Sequence, residues 1–287
     1  MIRFLAVGHG GLRLVSENGT DWKVSASGKE GEVYRAAAFG LGRWVAVGTF
    51  GGANIFASSP DGTAWATASK DGRYSTYVRG LAFGDGTFVA IGGDPGSVGS
   101  SSPVALHSTD GVQWTDFIPL GGKHILRRIA FGKGLWVGVG DRGRRASSKD
   151  AKTFADDPGS KAVDTLVDVA FGRDVFVGVG LHGLRMLSED GVSWTRRFAG
   201  EEGEHLNSIV WAQDRFVAVG QGATYTSPDG REWKRLENHD APLTVAFGGG
   251  LFVGAHWKGR ILTSKDGVDW TQVHKADQHL ESIAAGG

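Results

Sequence analysis

The sequence predicts an all-β fold, a seven-bladed β-propeller of four-stranded antiparallel blades. Three observations predict it: a turn repeated seven times, an apolar strand repeated with it, and a period that closes across the termini.

The turn has the form S-x-D-G-x-x-W and begins at Ser16, Ser59, Ser108, Ser148, Ser188, Ser227 and Ser264. Its acidic or amide residue is Asn18, Asp61, Asp110, Asp150, Asp190, Asp229 and Asp266, at spacings of 43, 49, 40, 40, 39 and 37 residues. Counting from Asp266 through Gly287 to Asn18 adds 39. The carboxylate or amide oxygen suits backbone N–H groups of the turn, and the glycine supplies a positive φ without steric cost. The tryptophan then anchors the hairpin against the sheet. The fourth copy departs, with Ala151 for Gly and Phe154 for Trp.

The strand has the form F-V-A-V-G and starts at Phe4, Trp44, Phe88, Trp136, Phe176, Phe216 and Phe252. A strand ending in A-F-G precedes each internal copy, with a variant in VWA at Val210. The last such strand, SIAAGG from Ser282, has only the N-terminal FLAVG to pair with. The ring is therefore predicted to close by pairing the C-terminal strand with the N-terminal strands. One domain then spans 1–287, its terminal blade shared between 1–24 and 278–287. Near-continuous apolar runs in the second strand suit sheets covered on both faces. No segment carries the pattern of a capped amphipathic helix.

Composition narrows the function. Glycine numbers 47 and proline 7, which fits short strands and tight turns. Lys plus Arg and Asp plus Glu are both 31, so no net field draws in nucleic acid. With no cysteine, disulfides, thiolate metal sites and cysteine nucleophiles are excluded. The nine histidines show no H-x-H or H-E-x-x-H spacing, so neither metal nor cofactor is expected. No run approaches the about 18 apolar residues of a membrane span, and membrane insertion is not expected. The start MIRFLAVGHGG is too short in apolar residues for a signal core. The compartment stays open, secreted or periplasmic if a leader was removed.

The repeated turn resembles the Asp-box, or bacterial neuraminidase repeat, and the resemblance covers the whole chain. It implies that the turns are structural and lie away from the ligand face. Sialidases of that group hold a carboxylate with three arginines and use a Tyr nucleophile assisted by Glu. This chain has seven copies rather than six, lacks the F/Y-R-I-P signature, and has only Tyr34, Tyr74, Tyr77 and Tyr225 as tyrosines. It is more similar to non-catalytic bacterial Asp-box propellers of the photosystem II stability/assembly-factor-like group. That resemblance implies a recognition surface for polypeptides, while related architectures serve as lectins.

Candidate site residues are those that break the repeat. His256 stands where six copies have glycine, at Gly8, Gly48, Gly92, Gly140, Gly180 and Gly220, and Trp257 and Lys258 follow it in a loop. An aromatic beside polar groups suits a sugar ring or a peptide side chain, and equally the cover of a blade edge. The stretch Gly92–Pro103 reads as an inserted flap or spacer. Four residues before the strand-end aromatic of each leading strand, or its equivalent, stand Arg35, Arg79, Arg127, Val167, Asn207, Leu243 and Glu281, with Arg128 adjacent. This column suits carboxylate, sulfate or phosphate, or else inter-blade pairing with Glu32, Asp168 or Glu281.

The expected function is a non-catalytic recognition role: a monomer binding a peptide, protein or glycan on its loop face and central channel mouth. The expected ligand-binding residues are Arg35, Arg79, Arg127, Arg128, Asp168, Asn207, Glu281, His256, Trp257 and Lys258. The alternatives are a sialidase-like or other glycoside hydrolase using carboxylates such as Asp168 and Glu281, and a structural or engineered scaffold without a ligand.

Overall fold

The computed structural model describes residues 1–71, 77–94, 96, 101–238 and 240–286. Pro95 and residues 97–100 of the predicted insertion lie outside the described residues, as do Tyr74 and His239. Among the described residues the strands form seven four-stranded antiparallel sheets, each built from strands consecutive in the repeat. The fold is a seven-bladed β-propeller, as the repeat predicts.

The first blade takes its leading strand, Leu280–Ala285, from the C-terminus and continues through Phe4–Gly8, Arg13–Ser16 and Lys23–Ala26. The expected pairing of the termini is present, with Phe4 opposite Ala285 and Ala6 opposite Ile283. The leading strands of the second to seventh blades are Val33–Gly40, Tyr77–Gly84, Leu126–Gly132, Leu166–Gly172, His205–Ala212 and Thr244–Gly248. Contacts divide the chain into two compact units. One is Met1–Ala90, Leu106–Asp116 and Thr244–Gly287; the other is Ile91–Ala105 and Phe117–Leu243.

In the first unit, the strand Phe4–Gly8 shows why F-V-A-V-G is apolar throughout. Successive side chains leave a strand on opposite faces. Phe4 and Ala6 pack with Val253 and Ile261 of the seventh blade, whereas Leu5 and Val7 pack with Tyr34, Trp44 and Ile55 of the second. Both faces are covered, so neither parity tolerates a polar residue. The second unit repeats the arrangement. Val137 and Val139 of the fourth blade pack with Phe176 of the fifth, and Val177 and Val179 of the fifth with Phe216 of the sixth.

The repeated turn is built as its residues predict. In every blade one oxygen of Asn18, Asp61, Asp110, Asp150, Asp190, Asp229 or Asp266 accepts the backbone N–H groups two and three residues on, at 2.7–3.1 Å. The serine oxygen accepts the glycine N–H, at 2.8 Å for Gly19 and Gly230. Gly230 has φ 75°, and a Cβ there would meet Val177 of the preceding blade at 2.7 Å. Both backbone and packing therefore call for glycine. In the fourth copy Ala151 keeps the left-handed conformation, with φ 54°.

These hydrogen bonds make the turns acid-sensitive. Backbone N–H groups of Thr153 and Lys152 hold Asp150 down to about 2, and equivalent bonds lower Asp61 and Asp110. At Asp190, Asp229 and Asp266 burial pulls upward, but the N–H bonds outweigh it and the net shift is also downward. A depressed carboxyl stabilises the fold fully above its unfolded value of about 4, and that contribution is lost as pH falls through the folded value. Stability is therefore expected to fall between about pH 4 and about pH 2, the latter set by Asp150. Replacing Asp61, Asp110 and Asp150 by asparagine, which already serves at Asn18, is expected to flatten that slope in urea unfolding measured against pH. An unchanged slope would contradict this assignment.

Three of the turn tryptophans meet a buried arginine of the preceding blade. Arg13, Arg145 and Arg185 share one position at the start of the third strand, each opposite a valine of the second strand. Each is buried. The guanidinium of Arg13 lies 5.2 Å from the Trp65 ring, that of Arg145 6.0 Å from Trp194, and that of Arg185 5.6 Å from Trp233. In each case the ring belongs to the next blade's turn. A cation over an aromatic face thus joins neighbouring blades within each unit.

Candidate functional site

The column of residues picked out near the start of the leading strands coincides with a β-bulge. In the second blade Tyr34 pairs with Gly48 and Ala36 with Val47, so Arg35 is passed over. Arg127, Val167 and Asn207 are passed over in the same way, and so is Glu281 opposite Val7 and Gly8. A bulge adds one unpaired residue and re-aims its side chain. The glycine that ends F-V-A-V-G permits it. A Cβ on Gly48 would lie 1.9 Å from the Val33 carbonyl oxygen, and one on Gly220 2.0 Å from that of His205. In the seventh blade His256 replaces this glycine, pairing begins at Thr244 opposite Ala255, and no register shift occurs. Leu243, the column residue of that blade, stands outside the strand.

In the first unit the candidate residues join through two histidines. Glu281 accepts from His9 Nε2 at 2.7 Å and faces Arg35 Nη1 at 3.9 Å. The His9 ring lies 5.5 Å from that of His279, and the His9 backbone N–H donates to the His279 carbonyl at 2.9 Å. His279 Nδ1 in turn accepts the backbone N–H of Lys258 at 2.9 Å. A continuous set of contacts therefore runs from Arg35 through Glu281, His9 and His279 to Lys258. Trp257, beside it, is 60% exposed, and the His256 ring stands edge-on to it at 6.1 Å. Lys258 and Gly259 both take positive φ, 60° and 76°, which turns the chain tightly and leaves the Trp257 ring outside the sheet.

Arg79 also belongs to the first unit, half-buried in Tyr77–Gly84. In the second unit Arg127 is held by Asp141 through both guanidinium and carboxylate, with Nη2 to Oδ2 at 3.1 Å. Asp168 is a brace. One oxygen accepts the Val169 N–H and the other the Ile209 N–H of the next blade, each at 2.9 Å. Burial pushes its carboxyl upward, against the charge of Arg128 and the bonds from Ile209, Ser208 and Val169. Asn207 lies half-buried at its bulge.

The histidines were missed because they form no ligand-spaced motif. A different signal was present: HLNSI from His205 and HLESI from His279 are near-copies at one repeat position. In both, Nδ1 accepts a backbone N–H from the preceding blade's loop, from His182 at 3.3 Å in the first case.

Known structures match this geometry across most of its length. The chain shares its fold with solved β-propellers. YCF48 bound to D1 peptide is 19% identical with a TM-score of 0.61, over 85% of this chain and 81% of that one. The WD40 propeller domain of Doa1 is 14% identical with a TM-score of 0.70, over 92% and 90%. The computationally designed Ika8 protein is 15% identical with a TM-score of 0.59, over 97% and 88%. No protein-family model and no curated protein sequence matches the chain.

Proposed function

We propose that this chain is a non-catalytic recognition propeller that binds a peptide segment of another protein, and that its repeated turns are Asp-boxes serving as structural rivets. The observation that carries the reading is the exposed Trp257 ring set beside Lys258, His256 and the Arg35–Glu281–His9 contacts. An aromatic platform flanked by both charge signs offers an apolar side chain its main contact and gives the peptide backbone and charges their orientation. The likeness in fold to YCF48 bound to D1 peptide supports a peptide over other ligands. Asp168, with both oxygens engaged by backbone N–H groups, is better placed to hold blades together than to act as a general acid.

A peptide array probed beside a glycan array tests this. Peptides are expected to bind, and Trp257→Ala and Arg35→Ala are each expected to weaken the best of them by about tenfold or more. Binding of glycans alone would replace the peptide reading with a lectin one. Turnover of a fluorogenic sialoside or glycoside would replace it with a hydrolase.

A further inference from the structure

We propose that a cationic pocket in the fourth blade, apart from the cluster around Trp257, binds a small dianion of the phosphate-monoester kind. The pocket has a volume of about 370 Å³; Lys123, His124, Arg142, Arg144 and Asp156 line it together with Gly122 and Ser160. Lys123 and His124 lie just before the leading strand Leu126–Gly132. Arg142 occupies the short 3-10 turn Asp141–Gly143, and Asp156 ends the outer strand Ala155–Asp156.

Arg144 is the buried cation of the pocket. Its side chain is 4% exposed, and two of its three nitrogens are used: Nε donates to Asp156 Oδ1 at 2.9 Å and Nη1 to the His124 carbonyl at 2.5 Å. Nη2 has no hydrogen-bond partner. A buried guanidinium donor left without an acceptor is costly, and an anionic oxygen is the partner it fits best. The residue beside it is Gly122, at φ 74°, where a Cβ would stand 2.5 Å from Nη2 and 2.6 Å from Cζ, so the guanidinium rests against bare backbone.

Charge sets the ligand class. Three cationic side chains line the pocket against the single carboxylate of Asp156, which Arg144 already engages. Lys123 and Arg142 have no ion-pair partner among the described residues. Two positive charges are thus unbalanced, which matches the roughly −1.5 to −2 of a phosphate monoester near neutral pH. The volume falls in the lower part of the roughly 300–1,000 Å³ typical of small-molecule sites. It suits a compact ligand rather than a long one.

Calorimetric titration of the full chain with inorganic phosphate, at constant ionic strength, tests the proposal. Saturable binding at one site is expected, with sulfate competing and chloride without effect. Succinate, run in parallel, distinguishes a dicarboxylate from a phosphoryl source of the same charge. The double variant Lys123→Gln and Arg142→Gln alters two exposed side chains, and is expected to weaken binding at least tenfold with the ligand-free melting temperature unchanged. Gly122→Ala, which keeps every charge but displaces the Arg144 guanidinium, is expected to weaken it as well, with the backbone cost at φ 74° read separately from the ligand-free melting temperature. No saturable binding of phosphate, sulfate or succinate, or equal binding by the double variant, overturns the proposal.

Discussion

Asp157→Ala is expected to destabilise the protein by about 3–5 kcal/mol, because it leaves a buried charge without its counter-ion. Arg145 is 1% exposed, and Asp157 accepts from its Nε at 3.0 Å and its Nη2 at 2.9 Å. The other oxygen of Asp157 accepts the Gly159 N–H at 2.8 Å, so the substitution also frees a turn. The third nitrogen of Arg145 reaches only the Met186 sulfur, a weak acceptor. The pair itself is expected to contribute little. The double variant Arg145→Met with Asp157→Leu removes both charges and should recover most of the loss in urea unfolding. If Asp157→Ala alone cost less than about 1 kcal/mol, Arg145 would have to find water or another acceptor, and the counter-ion role given to Asp157 would be wrong.

Gly220→Ala is expected to cost about 3 kcal/mol, at the upper end of what overpacking does, although it adds only one methyl group. The methyl would lie 2.0 Å from the His205 carbonyl oxygen and 2.8 Å from the Leu206 Cα. Both are backbone atoms, so relief requires the bulge at Asn207 to open. His256→Ala, at the equivalent position of the seventh blade, is the control: no bulge exists there to be disturbed. Thermal melts should separate the two variants by roughly 6–12 °C. Equal melting temperatures would mean that the glycine is dispensable and the bulge is held by something else.

The fold was legible because every blade must solve the same local problems. A turn needs an acceptor and a left-handed residue, and a strand covered on both faces needs apolar residues at both parities, so the solutions recur and can be counted. Some interactions between blades were half-legible. Arg13, Arg145 and Arg185 recur at one position, yet only the offset between neighbouring sheets reveals that each meets the next tryptophan. The bulge had left its mark as a glycine inside an apolar strand, a usual sign of close backbone approach.

The candidate site was harder to read because its partners come from different repeats. Counting back along the strands found Arg35 and Glu281 but gave no reason for them to meet. Their contact depends on the C-terminal strand lying in the first blade beside the second, with His9 reaching Glu281 from the adjoining loop. Arg127 and Arg128 sit at neighbouring positions of one strand, yet Asp141 engages the first and the charge of Asp168 acts on the second. The sequence contains those acids without marking them as partners.

The proposed binding surface lies where the repeat fails, around Trp257. Hydrogen exchange followed by mass spectrometry, with and without the tightest peptide from the array, tests it most directly. Slowed exchange is expected in residues 256–259 and 278–282, with little change in the seven turns. Protection confined to other blades, with residues 256–259 unaffected, would contradict it.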